Sequence, residues 1–282
     1  MKLSLSARVG ETFSNKREAS LSLDQLAGIA VDSGYSAICM RASQIGVHTP
    51  AADVAAKARL LRDHGLAVSM VTGDFAVPEN TDDGPAALRD ITPTLDLATA
   101  LDCDIIRVAL RKEEDIVWAQ RAADIARERG IRLAHQCHTR SLFETVDAML
   151  EVLRRIDRPN FGLTYEPANL EACGEDYGAA TMRRLAPHII NVYLQNQRLD
   201  PAGDSVLRTW CRGEVPFEQI PLWDPRGIDF PLIMAALGEI GYQGCVTVHQ
   251  AGLNTPQVDA GESARYLRSI AEFEGGSVDR PK

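Results

Sequence analysis

The sequence predicts an α/β fold in which eight parallel strands and their intervening helices close into a (β/α)8 barrel. Three observations carry this. Apolar, β-prone runs alternate with helical patterns along the chain, with a period of roughly 30 residues through the seventh run. Several helices end on a glycine just before the next run, at Gly34, Gly65, Gly130 and Gly241, the residue that most cheaply supplies a left-handed cap. Two runs, Leu133 to His138 and Gly162 to Asn169, end abruptly in groups able to bind metal or move protons. A run that is apolar on both faces belongs in a buried parallel sheet, and the C-terminal ends of such strands are where barrels place their sites.

In chain order, the strands are expected at Leu3–Arg8, Ala37–Arg41, Ala67–Thr72, Asp104–Leu110, Ile131–His138, Phe161–Glu166, Ile189–Gln195 and Cys245–Gln250. The first helix, Leu21–Ser33, carries Leu23, Leu26, Ile29 and Ala30 at the spacing of one helix face. The same pattern predicts helices over Ala51–His64, Ala86–Leu101, Glu114–Arg129, Leu142–Ile156, Ala179–Leu185, Pro231–Ile240 and Gly261–Phe273. The connection 198–227 after strand seven is rich in Pro, Asp and Arg and is read as a long loop. Such loops serve as lids, active-site walls or oligomer contacts, and Trp210 and Trp223 argue that this one packs. No domain boundary is visible, so residues 1–274 are expected to form one domain, with a disordered tail at 275–282.

Composition excludes several classes. A net charge of −9 gives no basic face for nucleic acid. No apolar stretch approaches the roughly 20 residues that span a bilayer, and the first residues lack the apolar core of a signal peptide. The six cysteines are dispersed with no C-x-x-C pair, which fits a reduced, cytoplasmic protein. No Walker loop and no G-x-G-x-x-G is present, so a nucleotide cofactor is not expected.

Strand parity sorts the candidate site. Alternate residues point inward, so Gln136 and His138 share one side of strand five and His135 the other, while Glu166 goes with Thr164 and His249 with Thr247. A glutamate at the end of a buried strand is costly unless it is used or paired. His249 and His138 converge with Glu166 at one mouth, so these three are the expected catalytic groups. Arg41 and Arg107 end strands two and four, where they would hold an acidic sugar or phosphate, or pair with Asp74 or Glu166. His48 and Asp74 in mouth loops, Gln195 and Asn169 at strand tips, and Trp210 complete the expected substrate contacts.

The strand-tip pattern resembles the xylose isomerase-like TIM barrels, the superfamily of sugar phosphate isomerases and epimerases, over nearly the whole chain. It does so through Leu133-Ala134-His135-Gln136-Cys137-His138, Gly162-Leu163-Thr164-Tyr165-Glu166-Pro167-Ala168-Asn169, Val192-Tyr193-Leu194-Gln195-Asn196 and Gly241-Tyr242-Gln243-Gly244 leading to Val248-His249. The resemblance implies a divalent metal held by Glu, Asp, His and a final Glu. Here those positions carry Gln136, Glu166, Asn169, Tyr193 and His249, so the fold signature is intact and the metal signature is altered. Two readings stay open: Mn, Co, Fe or Zn bound through Glu166, His249 and Gln136, or no metal.

Gln136 cannot titrate, so a two-base epimerase is disfavoured. The expected function is an isomerase removing one proton next to a carbonyl of a small keto-sugar or hydroxy acid. The alternatives are a lyase or dehydratase using the same site, or a non-catalytic, metal-free sugar-binding or partner subunit. A repair endonuclease is disfavoured by charge and by missing zinc ligands. The resemblance also implies a homo-oligomer.

Overall fold

The computed structural model describes residues 1–12, 15–73, 85–250 and 252–274. Asp74 and the segment 275–282 lie outside the described residues. Eight strands close the barrel: β1 (Lys2–Ser6), β2 (Ala37–Arg41), β3 (Ala67–Thr72), β4 (Ile105–Val108), β5 (Arg132–Gln136), β6 (Phe161–Tyr165), β7 (Ile189–Leu194) and, after a three-stranded insertion, β11 (Cys245–Val248). All neighbours pair parallel, and β1 meets β11 with Lys2 opposite Cys245 and Leu5 opposite Val248. Among the described residues no helix is long and apolar enough to cross a membrane.

The helices pack their apolar faces on the outside of this barrel. They are α1 (Leu23–Asp32), α2 (Ala51–Asp63), α3 (Ala86–Arg89), α4 (Thr92–Ala100), α5 (Asp115–Glu128), α6 (Val146–Ile156), α7 (Pro167–Ala172), α8 (Ala179–Leu185), α9 (Phe230–Glu239) and α10 (Pro256–Ile270). On α6, Val146, Met149, Val152, Leu153 and Ile156 are buried in one stripe, and the Thr145 hydroxyl accepts from the Ala148 N–H to cap it. The barrel interior is a separate, smaller cluster of Cys39, Met70, Ile105, Ala134 and Tyr193. Polar groups there satisfy one another: Ser4 Oγ lies 2.7 Å from Ser69 Oγ, and Tyr193 Oη lies 3.0 Å from Cys39 Sγ.

Three expectations need correction. The single helix expected over Ala86–Leu101 is two, because Pro93 opens a new first turn in α4. The tip of strand six turns at once into the short helix α7, so Asn169 is helical. The connection 198–227 is largely a three-stranded antiparallel sheet rather than a loop, built from β8 (Gln197–Leu199), β9 (Ser205–Thr209) and β10 (Gly213–Gln219) in the order β8-β10-β9. Asn196 ties its ends down, with its Nδ2 donating to the Pro221 and Asp224 carbonyls and its Oδ1 accepting from the Ile228 N–H. Trp223 packs against the core as expected, but Trp210 is 53% exposed.

Gly162 permits the close approach of β6 to the start of β7 and the turn before it. A Cβ there would run into the His188 carbonyl oxygen and the Ile190 side chain. Gly162→Ala is therefore expected to lower stability by about 1–3 kcal/mol through overpacking, read as a fall in the urea midpoint without a change in slope.

Candidate active site

A cavity of about 350 Å³ opens at the C-terminal end of the barrel, large enough for a single sugar-sized molecule. Its floor is the set of inward-facing strand tips: Gln136 and His138 after β5, Asn169 on α7, and His249 after β11. The inserted sheet forms one wall through Gln197, Leu207, Phe217 and Gln219. Gln197 is fixed by donating from Nε2 to the Ala168 carbonyl at 2.7 Å, which couples that wall to α7.

His249 is stacked on Tyr193 with ring centroids 4.4 Å apart, and its Nδ1 lies 3.0 Å from Ser6 Oγ. Closure of the barrel between β1 and β11 makes that contact. His138 is held through Nδ1, 2.9 Å from the Thr139 carbonyl. Both imidazoles stay neutral. Burial and then Arg107 push His138 down to about 3, while burial followed by Arg41 and Arg107 pushes His249 well below its ordinary range. For His249, burial is the larger cause, and the cations that add to it arrive from other strands.

Glu166 is fully buried and does not line the cavity. Gln136 Nε2 and Asn169 Nδ2 (the latter at 2.9 Å) both donate to its Oε2, which places the carboxyl just beneath the floor those two amides form. Its Oε1 and the Gln136 Oε1 have no hydrogen-bond partner. Burial raises the carboxyl from its ordinary 4.5 to about 7, against the pull of Gln136, Arg107 and Asn169.

Four cations line the same cavity: Arg8, Lys16, Arg41 and Arg107. Glu11 clamps two of them. Its Oε1 accepts from Arg41 Nε at 2.7 Å and from Ser43 Oγ at 2.7 Å, and its Oε2 lies 3.4 Å from Arg8 Nη1. Arg41 thus pairs with Glu11, an acceptor that the sequence reading did not consider. Glu11 and Lys16 sit in the loop after β1, where neither periodicity nor a strand tip marks them.

The remaining expected contacts divide. Arg107, Asn169 and Gln195 line the cavity. His48 is exposed on the loop after β2 and does not line it. Trp210 is also outside it, in the β9–β10 turn, where its backbone N–H donates to Glu144 Oε1 at 2.8 Å and pins the hairpin to the barrel. His135 points away from the mouth, stacked on Phe143 at 4.4 Å.

The expected metal set of Glu166, His249 and Gln136 fits a divalent cation poorly. It offers a single carboxylate, with Oε2 already taken by two amide N–H groups. Four protein cations surround it, and their repulsion opposes a further positive ion. Among the described residues, the His, Cys, Asp and Glu side chains close enough to share a metal are Glu144, Cys173 and Cys211, away from this cavity.

The shifts set a pH dependence. Between about 4.5 and 7 the folded protein keeps a proton on Glu166 that the unfolded chain has released, so this group lowers stability as pH rises and does so fully above 7. The two imidazoles act oppositely, losing stability as pH falls below 6.5. Glu166→Gln removes only the first effect. Its stability relative to the parent is expected to improve by up to about 3 kcal/mol between acidic pH and about pH 8, measured by urea unfolding at both ends.

The family model for xylose isomerase-like TIM barrels matches residues 28–270. A rhizopine catabolism protein, MocC, from Rhizobium meliloti is 29% identical over 151 residues, covering 50% of this chain and 44% of that protein. The chain thus spans less than half the length of that curated relative. Among solved structures, the probable 3-DHS dehydratase AsbF of Bacillus anthracis superposes with a TM-score of 0.72 at 16% identity, covering 95% of this chain and 99% of that one. A barrel protein from Mycobacterium smegmatis in complex with magnesium gives 0.71 at 16% identity, covering 95% and 96%. At such identities the structural likeness speaks for the fold.

Proposed function

The chain belongs to the family of xylose isomerase-like TIM barrels, and from that premise we propose that it is an isomerase or lyase acting on a small polyhydroxylated carbonyl compound by one-base proton transfer without a metal at the mouth. The observation that carries this reading is the pairing, in one cavity of about 350 Å³, of a neutral imidazole at His249 with the guanidinium of Arg107. A neutral imidazole accepts a proton, and a guanidinium stabilises the oxyanion that the loss of that proton creates.

In this scheme one His249 ring nitrogen takes the proton from the carbon next to the substrate carbonyl. The other, held by Ser6 Oγ, keeps the ring in place. The electron pair moves onto the carbonyl oxygen, towards Arg107. Isomerisation follows when His249 returns the proton to the former carbonyl carbon and the neighbouring hydroxyl passes its proton to the former carbonyl oxygen, so that the carbonyl moves one carbon along. Elimination follows when it instead protonates a departing hydroxyl, which leaves as water. Both outcomes use one group and balance without a cofactor.

Glu166 serves from beneath the floor as a positioning residue. It fixes the amides of Gln136 and Asn169, turning their polar groups towards substrate hydroxyls. A non-catalytic sugar-binding subunit is the competing reading, favoured by the altered metal positions. The metal-binding property of the mycobacterial barrel and the dehydratase activity named for AsbF belong to those proteins. The second nonetheless agrees with a lyase here.

The test is turnover of a panel of keto-sugars and hydroxy acids, followed by solvent-proton exchange. His249→Ala is expected to lower kcat about 100- to 10,000-fold with a smaller change in KM. Glu166→Gln is expected to keep measurable turnover and to weaken KM. Full loss in Glu166→Gln with retention in His249→Ala would reassign the base, and saturable binding with no exchange by any variant would favour the binding subunit.

A further inference from the structure

The cations at the mouth are not equivalent, and the difference points to a ligand. Arg8 and Arg41 are both tied to Glu11. Arg107 and Lys16 have no ion-pair or hydrogen-bond partner among the described residues. Arg107 is only 4% exposed, its Nε has no acceptor, and no ion pair or side-chain hydrogen bond involves it among the described residues. Its attraction to Glu166 acts through space only. Lys16 likewise has no ion-paired or hydrogen-bonded acceptor among the described residues, and its ammonium is crowded by Arg8, Arg41 and Arg107 more strongly than it is attracted by Glu11.

An unpaired buried charge is among the most destabilising features a fold can keep. Replacing a buried charge by an apolar side chain of similar size commonly stabilises a protein. A guanidinium held in that state, facing a cavity with an ammonium nearby, is a seat for an oxyanion: it presents a fork of donors, and the lysine supplies a second point of charge.

Resting on the reading of this cavity as the substrate site, we propose that the substrate carries an anionic oxygen group, a carboxylate or a phosphate, that sits between Arg107 and Lys16 while its hydroxyls meet Gln136, Asn169 and Gln195. The inference narrows the substrate from small polyhydroxylated carbonyl compounds to acidic ones, such as keto-acids of sugars or sugar phosphates.

The test is binding, measured by calorimetry on the full chain at fixed ionic strength, so that it does not depend on catalysis. The probes are matched pairs of acid and neutral compound: D-gluconate against D-sorbitol, D-glucuronate against D-glucose, and glycerol phosphate against glycerol. At least one acidic member is expected to bind at least about tenfold more tightly than its neutral partner, and Arg107→Met is expected to remove that preference by a similar factor. Preference within the first two pairs identifies a carboxylate, and within the third a phosphate.

A second arm needs no ligand. Without oxyanions in the buffer, Arg107→Met is expected to melt at or above the temperature of the parent. Equal affinity within every pair, no binding by any acid, or a marked loss of stability in Arg107→Met each overturns the proposal. Acid-selective binding without any turnover would leave the oxyanion seat standing and sink the catalytic reading. Turnover of an uncharged sugar that is lost in His249→Ala, together with equal affinity within every acid and neutral pair, would do the reverse.

Discussion

Closure of the barrel between β1 and β11 is the constraint from which the site follows. The pairing fixes Lys2 to Leu5 against Cys245 to Val248, and with it the inward or outward sense of every residue on both strands. Because side chains alternate along a strand, this one register brings Ser6 to His249, 243 positions apart in sequence. The same alternation around the ring sends Gln136, Tyr193 and Arg107 inward and turns His135 out against Phe143. The interior needs no single large apolar plug. Small polar pairs such as Ser4 with Ser69 fill it and satisfy one another, leaving the upper layer free for charged groups.

That upper layer is governed by electrostatics more than by shape. Glu11 neutralises two arginines and Glu166 sits below the floor, half protonated near neutral pH. What faces the cavity is therefore positive, although the chain as a whole carries a net charge of −9. Overall charge informs solubility, whereas the local field decides protonation. The depressed His138 and His249 and the raised Glu166 arise from burial in that local environment, with the arginines lowering the imidazoles further and opposing the rise of the carboxyl. On the proposed reading, the protein's own cations supply the positive charge that the resemblance implies for a divalent metal at this level.

Much of this was legible from sequence because strands and their tips carry strong signals. Apolar runs and capping glycines place all eight barrel strands, and parity places Gln136, His138 and His249 on the cavity side. The gaps have physical causes. Glu11 and Lys16 come from an aperiodic loop, so only the folded chain brings them to Arg41 and Arg107. The sheet of β8, β9 and β10 is mostly half-buried, and its short strands mix charged, polar and apolar residues without the apolar runs of the barrel strands. Asn169 belongs to a helix of six residues, too short for periodicity to register. Reading Glu166 as a group at the mouth missed that the amides of Gln136 and Asn169 lie over it. The acidity of His249 was not legible because burial at the closed mouth lowers it first, and the arginines that add to this are remote in sequence.

The measurement that bears most directly on this account is calorimetric titration of Mn²⁺ into protein stripped of metal, for the parent, Glu166→Gln and His249→Ala. Manganese is a hard ion that favours carboxylate and water ligands and avoids the thiols near Glu144. If protein cations have taken over the mouth, no saturable site that depends on Glu166 or His249 will be found. A single tight site in the parent that disappears in both variants would contradict the account and return the mouth to metal chemistry.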